Sequence, residues 1–339
     1  MSQPPQDLPG ALADAKTMVW HACEELISNP ARSAQSLLTD DCLWVLSHPF
    51  NELRGPEAVN ATYLQSLCKS FPDIERRTDL FFAGHWDGRL DGGAGIWVTC
   101  TGHYLGTFRA SFAGIPASGD VVWLRFGEFY RVVEGRIAEA RIVLDLVDLA
   151  RQSGVPILPH GAGQEILVPG PRKSGRAVLL EQMPLGQRAC LDVVEKMIEG
   201  LGRYDRQDLS SMGMERFWQP NMMWYGPGGI GTTRTISGFQ KYHQAPFLHA
   251  FPDRKGGWHR ARIGEGRFAA STGWPSVRAT HAGRYLGEDA SGRSIGMRVM
   301  DWWRLEGELL AENWVLIDLP HLFLQMGVDL LARAGAPAQ

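Results

Sequence analysis

GEFYRVVEGRIAEARIVLDLVDLARQSGV, Gly127–Val155, and MDWWRLEGELLAENWVLIDLPHLFLQMGV, Met300–Val328, are two versions of one pattern set 173 residues apart. Each has two runs of β-branched and aromatic residues joined by an acid–glycine turn, Glu134-Gly135 or Glu306-Gly307, so each predicts a hairpin. Working outward, SFPDIERR (Ser70–Arg77) echoes AFPDRKGG (Ala250–Gly257) at an offset of 180, and TGHYLG (Thr101–Gly106) echoes AGRYLG (Ala282–Gly287) at 181. The fall in offset from there to the hairpin implies a longer loop in the first copy, around Phe108–Asp120. A unit of this length, present twice, is a duplicated domain and not a solenoid repeat.

Both copies open with apolar residues at helical spacing, over Ala11–Ser28 and Gly186–Gly202. A second helix is expected from Gly55 to Ser70 and from Ser237 to His249, ending where a proline disfavours helix at Phe71 and Phe251. Hairpins follow. Helices first and consecutive strands after them define an α+β class. The expected division is a domain over 1–155, a Gly- and Pro-rich linker over 156–185 that could still pack on a domain, and a domain over 186–339.

The chain has 339 residues, 44% hydrophobic and 21% charged, as a globular protein with a sizeable core requires. Its 34 Lys and Arg against 37 Asp and Glu leave a charge of −3 with no basic block, which argues against nucleic-acid partners. Five scattered cysteines form neither a zinc pattern nor a disulfide framework. MSQPPQDLPGALADAK lacks the basic and apolar regions of a signal peptide, and no run reaches 18 apolar residues, so a cytoplasmic protein without a membrane partner is expected.

The second copy keeps Arg304, Gly307, Glu312, Trp314, Asp318, Gln325 and Gly327, and TGWPSVRATHAG (Thr272–Gly283) precedes them. In this it resembles the SnoaL-like polyketide cyclases of the NTF2-like superfamily. The first copy retains Arg131, Glu139, Asp145, Gln152 and Gly154, has Arg141 in place of the Trp and aligns Cys100 with His281, which reads as a degenerate partner. The resemblance implies two tandem cone domains, each a curved antiparallel sheet wrapped around N-terminal helices and enclosing an apolar cavity. It also implies a pseudo-dimer within one chain; two chains could associate further.

Such enzymes use a carboxylate as acid and base on a small carbonyl substrate, without metal or other cofactor. The matching residue is Asp318, with Asp145 and Arg131 at a second site in the first copy; the alternative for Asp318 is a cap on the helix that begins at Leu319-Pro320. His281 and Arg304 would stabilise an oxyanion, unless Arg304 pairs with Glu312 or Asp318. Alternation puts Trp302 on the face of Arg304, and Trp314 on that of Glu312 and Asp318, so these rings, with Trp224 and Tyr285, are the expected substrate-binding residues. The activity implied is cyclisation, isomerisation or dehydration. The alternatives are a ligand-binding protein without catalysis and an epoxide or lactone hydrolase.

Overall fold

The computed structural model describes residues 10–181 and 188–335. The first domain opens with helices Ala11–Ser28 and Pro30–Leu37, followed by β1 (Leu38–Leu46) and β2 (Glu52–Arg54). After a helical stretch over 55–70 come β3 (Glu75–Trp86), β4 (Gly95–Thr107), β5 (Val121–Val133), β6 (Arg136–Leu144) and a closing helix, Leu146–Gln152. The linker contributes β7 (Ala177–Val178). The second domain repeats the plan with helix Ala189–Leu201, β8 (Trp218–Tyr225), β9 (Thr232–Arg234) and a helical stretch over 235–250. It ends with β10 (Lys255–Gly256), β11 (His259–Glu265), β12 (Phe268–Thr280), β13 (Ser294–Glu306), β14 (Leu309–Ile317) and helices Leu319–Met326 and Leu330–Gly335. The expected helix start at Gly186 and the N-terminal residues 1–9 lie outside the described residues.

The first helix turns Ala15, Val19, Ala22, Cys23 and Leu26 inward, a stripe at helical spacing that the curved sheet covers. Both sheets are mixed. The first runs β2-β1-β6-β5-β4-β3-β7, and β1 lies parallel to β6; the second runs β10-β12-β13-β14-β8-β9, with β11 on β12 and β14 parallel to β8. The expected antiparallel pairing holds everywhere except at β1–β6, β3–β7 and β8–β14, which are parallel. A helical stretch and four strands separate β1 from β6, long enough a crossover to bring β6 back in the same direction.

The loops between the last two long strands, 108–120 and 281–293, have the same length and close identically. Phe108 exchanges backbone hydrogen bonds with Asp120 and Gly119, as His281 does with Arg293 and Gly292. The longer first-copy segment is instead the β3–β4 hairpin: Asp73 and Asp253 bind the last residues of β4 and β12, Thr107 and Thr280, over 34 and 27 residues respectively. The residue matching His281 is thus Phe108, not Cys100, because the YLG echo aligned a strand with a loop.

The two sheets pack back to back. Trp302 of β13 lies against Phe129 of β5 with ring centroids 5.6 Å apart, and its Nε1 donates to Thr99 of β4 at 3.0 Å. Gly127 is required there, since a Cβ would come within 2.4 Å of the indole. At the margins Lys16 meets Glu265 at 2.7 Å, and Arg260 grips Glu139 through two bonds of 2.7 and 2.8 Å. The linker crosses the same seam, Pro169 accepting from Trp314 and the Arg172 amide donating to buried Glu312.

Candidate functional site

A cavity of about 560 Å³ fills the second cone. Its walls come from the helices before β8, from the 235–250 stretch and from β8 and β10–β14, and alternation along the strands decides which residues reach it: Val299, Asp301 and Trp303 from β13, Asn313, Val315 and Ile317 from β14. Trp224, Phe239, His243 and Phe247 form an aromatic wall in which Trp224 and His243 stack at 4.2 Å. Burial pushes the His243 pKa down to about 3, so this imidazole is a neutral ring at physiological pH.

Asp301 is the one acid among the lining residues. Its exposed area is cavity wall, and protein otherwise surrounds it, so burial raises its pKa to about 7; a 3.4 Å contact from Asn313 and the charge of Arg262 only partly oppose this. A polar row faces it. Arg262 donates to His259 Nδ1 at 3.0 Å, and His259 Nε2 lies 3.1 Å from Ser276 Oγ. Arginine only donates, so Nδ1 accepts and the imidazole proton sits on Nε2, pointed at Ser276. Burial and the Arg262 charge lower the His259 pKa to about 3, which agrees with a neutral ring. His259 consequently has no lone pair for the Ser276 proton, and the pair is no nucleophile and base. Arg262 Nε and the indole nitrogens of Trp218 and Trp303, all on lining residues, are buried without a partner.

The same place in the first cone is filled. Glu128, 173 residues before Asp301, is buried against Arg76, accepts from Tyr104 at 2.6 Å and receives the Cys100 thiol at 3.2 Å. Burial opposes its ionisation, but the Arg76 charge and these hydrogen bonds prevail and hold its pKa below the usual range. Arg76 pairs across the sheet with Tyr104 as Gly256 does with Val277, so the second copy lacks both plugging side chains. Cys23, Cys100 and Glu128 also bring their ligand atoms within 4.8 Å of one another, but the guanidinium at that carboxylate opposes a bound cation.

The residues singled out from sequence lie mostly elsewhere. Asp318 is fully buried and caps helix Leu319–Met326 through the His321 amide at 3.2 Å. It also accepts from the amide of His48 in the other domain at 3.0 Å and from Arg298 at 3.1 Å. Asp145 does the same in mirror fashion, taking the amides of Asp148 and Gly228. Arg304 is held by Glu312 and, at 3.0 Å, by Glu306, while Arg131 approaches Glu139 at 3.4 Å. His281 accepts from the Ser291 amide at 3.2 Å, and Tyr285 packs edge-on to Phe251 in the same closing region. Trp302 and Trp314 face the seam between domains; Trp224 lines the cavity. Asp301, His259, Arg262 and Ser276 were not singled out, although the 173-residue offset pairing Asp301 with Glu128 was visible in the sequence.

The fold and cavity define a tandem cone protein, each half of NTF2-like build. Residues 17–153 and 192–326 match the model of the SnoaL-like polyketide cyclase family, and the chain belongs to that family in two copies. Among solved structures it is similar to a protein of Jannaschia sp. CCS1 assigned to the SnoaL-like polyketide cyclases: 18% identity, 44% of this chain, 99% of that one, TM-score 0.37. IdmH of Streptomyces antibioticus, assigned as a polyketide cyclase, has 20% identity over 42% and 99% of the chains and a TM-score of 0.34. An NTF2-like protein of Burkholderia thailandensis E264 has 17% identity over 41% and 97%, with a TM-score of 0.31. No curated protein matches the sequence. No helix among the described residues is long and apolar enough to cross a membrane.

Proposed function

We propose that the second domain catalyses acid–base chemistry on a small carbonyl compound, cyclisation, isomerisation or dehydration, with Asp301 removing and returning the proton. One observation carries this reading: a carboxyl with its pKa raised to about 7 is the only acid among the described residues that line a largely apolar cavity of about 560 Å³. Near neutrality such a group has both forms populated and can transfer a proton in either direction. The Ser276 hydroxyl, which accepts from His259 and keeps its own proton free, is placed to donate to the oxygen of an enolate. In this reading the proton-transfer role belongs to Asp301 and not to Asp318, whose oxygens are committed to Arg298 and two backbone amides. The first domain, with its cone plugged, serves as a structural partner.

The test is α-carbon deuteration in heavy water, followed by NMR over a panel of diketones, keto-esters and lactones. Asp301→Asn should slow wash-in by about 10²–10⁴-fold while the compound still binds. Wash-in unchanged in Asp301→Asn would sink the assignment, and binding without exchange in the wild type would establish a ligand-binding protein instead.

A further inference from the structure

The rim of the second cavity is cationic. Arg206 is exposed there and Arg254 half-buried, and neither has a carboxylate partner among the described residues. The nearby acids are engaged otherwise: Asp205 accepts from the amides of Gln207 and Asp208, Asp208 from Ser210, and Asp253 from Thr280. Arg254 is braced by Tyr204, whose ring centroid lies 5.3 Å from the guanidinium carbon. Burial and then the like charge of Arg206 disfavour the charged Arg254, the cost expected of two cations without an anion between them.

The first domain provides an internal comparison. Ile74, 180 residues before Arg254, makes the same backbone turn, donating to Phe71 as Arg254 donates to Phe251. Where the cone is plugged, the rim position is apolar; where the cone is open, it is a guanidinium. The neutral aromatic wall lines the same cavity, with His243 and Phe247 stacked at 5.8 Å. That wall suits an apolar, flat body and supplies no charge of its own.

We propose that this cavity takes a ligand bearing a carboxylate, its anion held at the rim by Arg206 and Arg254 and its apolar body lying along Trp224, His243 and Phe247. Two planar guanidinium forks match a carboxylate's oxygens in geometry as well as charge. Asp301, on the wall of the same cavity, is largely protonated below its raised pKa and does not repel the ligand. The proposal rests on the second cavity being the ligand site, and not on the chemistry assigned to Asp301.

The probes are 2-naphthoate and its neutral methyl ester, titrated calorimetrically into the full chain at low salt. The acid should bind the wild type about tenfold tighter than the ester. The preference should shrink to about threefold or less in Arg206→Gln/Arg254→Gln, in which continued ester binding reports an intact cavity, and Arg254→Lys should restore part of it to Arg254→Gln. Lys255→Gln/Arg278→Gln is the comparison, because those cations line a separate open groove of about 800 Å³ between the domains. Equal binding of acid and ester, no binding of the acid, or a preference lost only on changing Lys255 and Arg278 overturns the proposal. Asp301→Asn should keep the acid preference whether or not it abolishes deuterium exchange, which separates failure of this subsite from failure of the catalytic reading.

Discussion

Two aspartates of the last hairpin, Asp318 fully buried and Asp301 on a cavity wall, have opposite fates because of what surrounds their oxygens. Asp318 pays for burial with three donors, so its carboxylate is satisfied although burial raises its pKa; Asp301 has one weak amide contact and a cavity in front of it. The difference should be measurable as stability against pH. With a folded pKa of about 7, against about 3.9 for an unfolded Asp, the native state binds more protons between these values. The contribution is fully present below about pH 4 and is lost as pH rises through about 7, an effect on the order of 2 kcal/mol once partial exposure to the cavity is discounted. Urea unfolding at pH 4.5 and 7.5 should show the wild type losing stability relative to Asp301→Asn across that interval. Parallel changes in the two proteins would mean that Asp301 titrates normally.

At the scale of the elements, β13 and β14 show what alternation can and cannot say. The period was legible: Glu312, Trp314 and Leu316 share a face, and Trp302 and Trp303 oppose each other. Which face was the cavity was not legible, because both sides of this sheet are buried, one by the helices and one by the other sheet, so both carry large apolar residues. Trp302 with Arg304 falls on the outer face, and the cavity face belongs to Asp301, Trp303 and Asn313. The duplicated plan also explains why one cone is open. Arg76 on β3 and Tyr104 on β4 fill the first; Gly256 and Val277 leave room in the second. Gly256→Arg/Val277→Tyr should therefore rebuild the plug around Asp301. The expected outcome is loss of naphthoate binding and of deuterium exchange with the thermal midpoint retained or raised, checked by calorimetry and NMR. Binding that survives would show that the plug does not control access.

For the whole molecule, the seam is as much a core as either cone. Trp302, Phe129, Trp314 and Tyr225 are buried in it, while Asp318 and Asp145 each reach across to an amide of the opposite domain. Trp302→Ala should cost about 3–5 kcal/mol and split a single urea transition into two, read by fluorescence and circular dichroism together. A single, unshifted transition would show that the domains are not coupled through this contact. The sequence by itself determined the duplication, the helix boundaries at Phe71 and Phe251, the turns at Glu134-Gly135 and Glu306-Gly307 and the family, because these depend on local periodicity, on proline and glycine backbone limits and on repeated spacing. Only the tertiary structure decided that Asp318 is a clasp while Asp301 faces a cavity, and that one cone is plugged and the other open. A carboxylate's chemistry depends on the donors and the empty space around it, and those are contributed by residues such as His48, Arg76 and Arg262 that are distant in the chain.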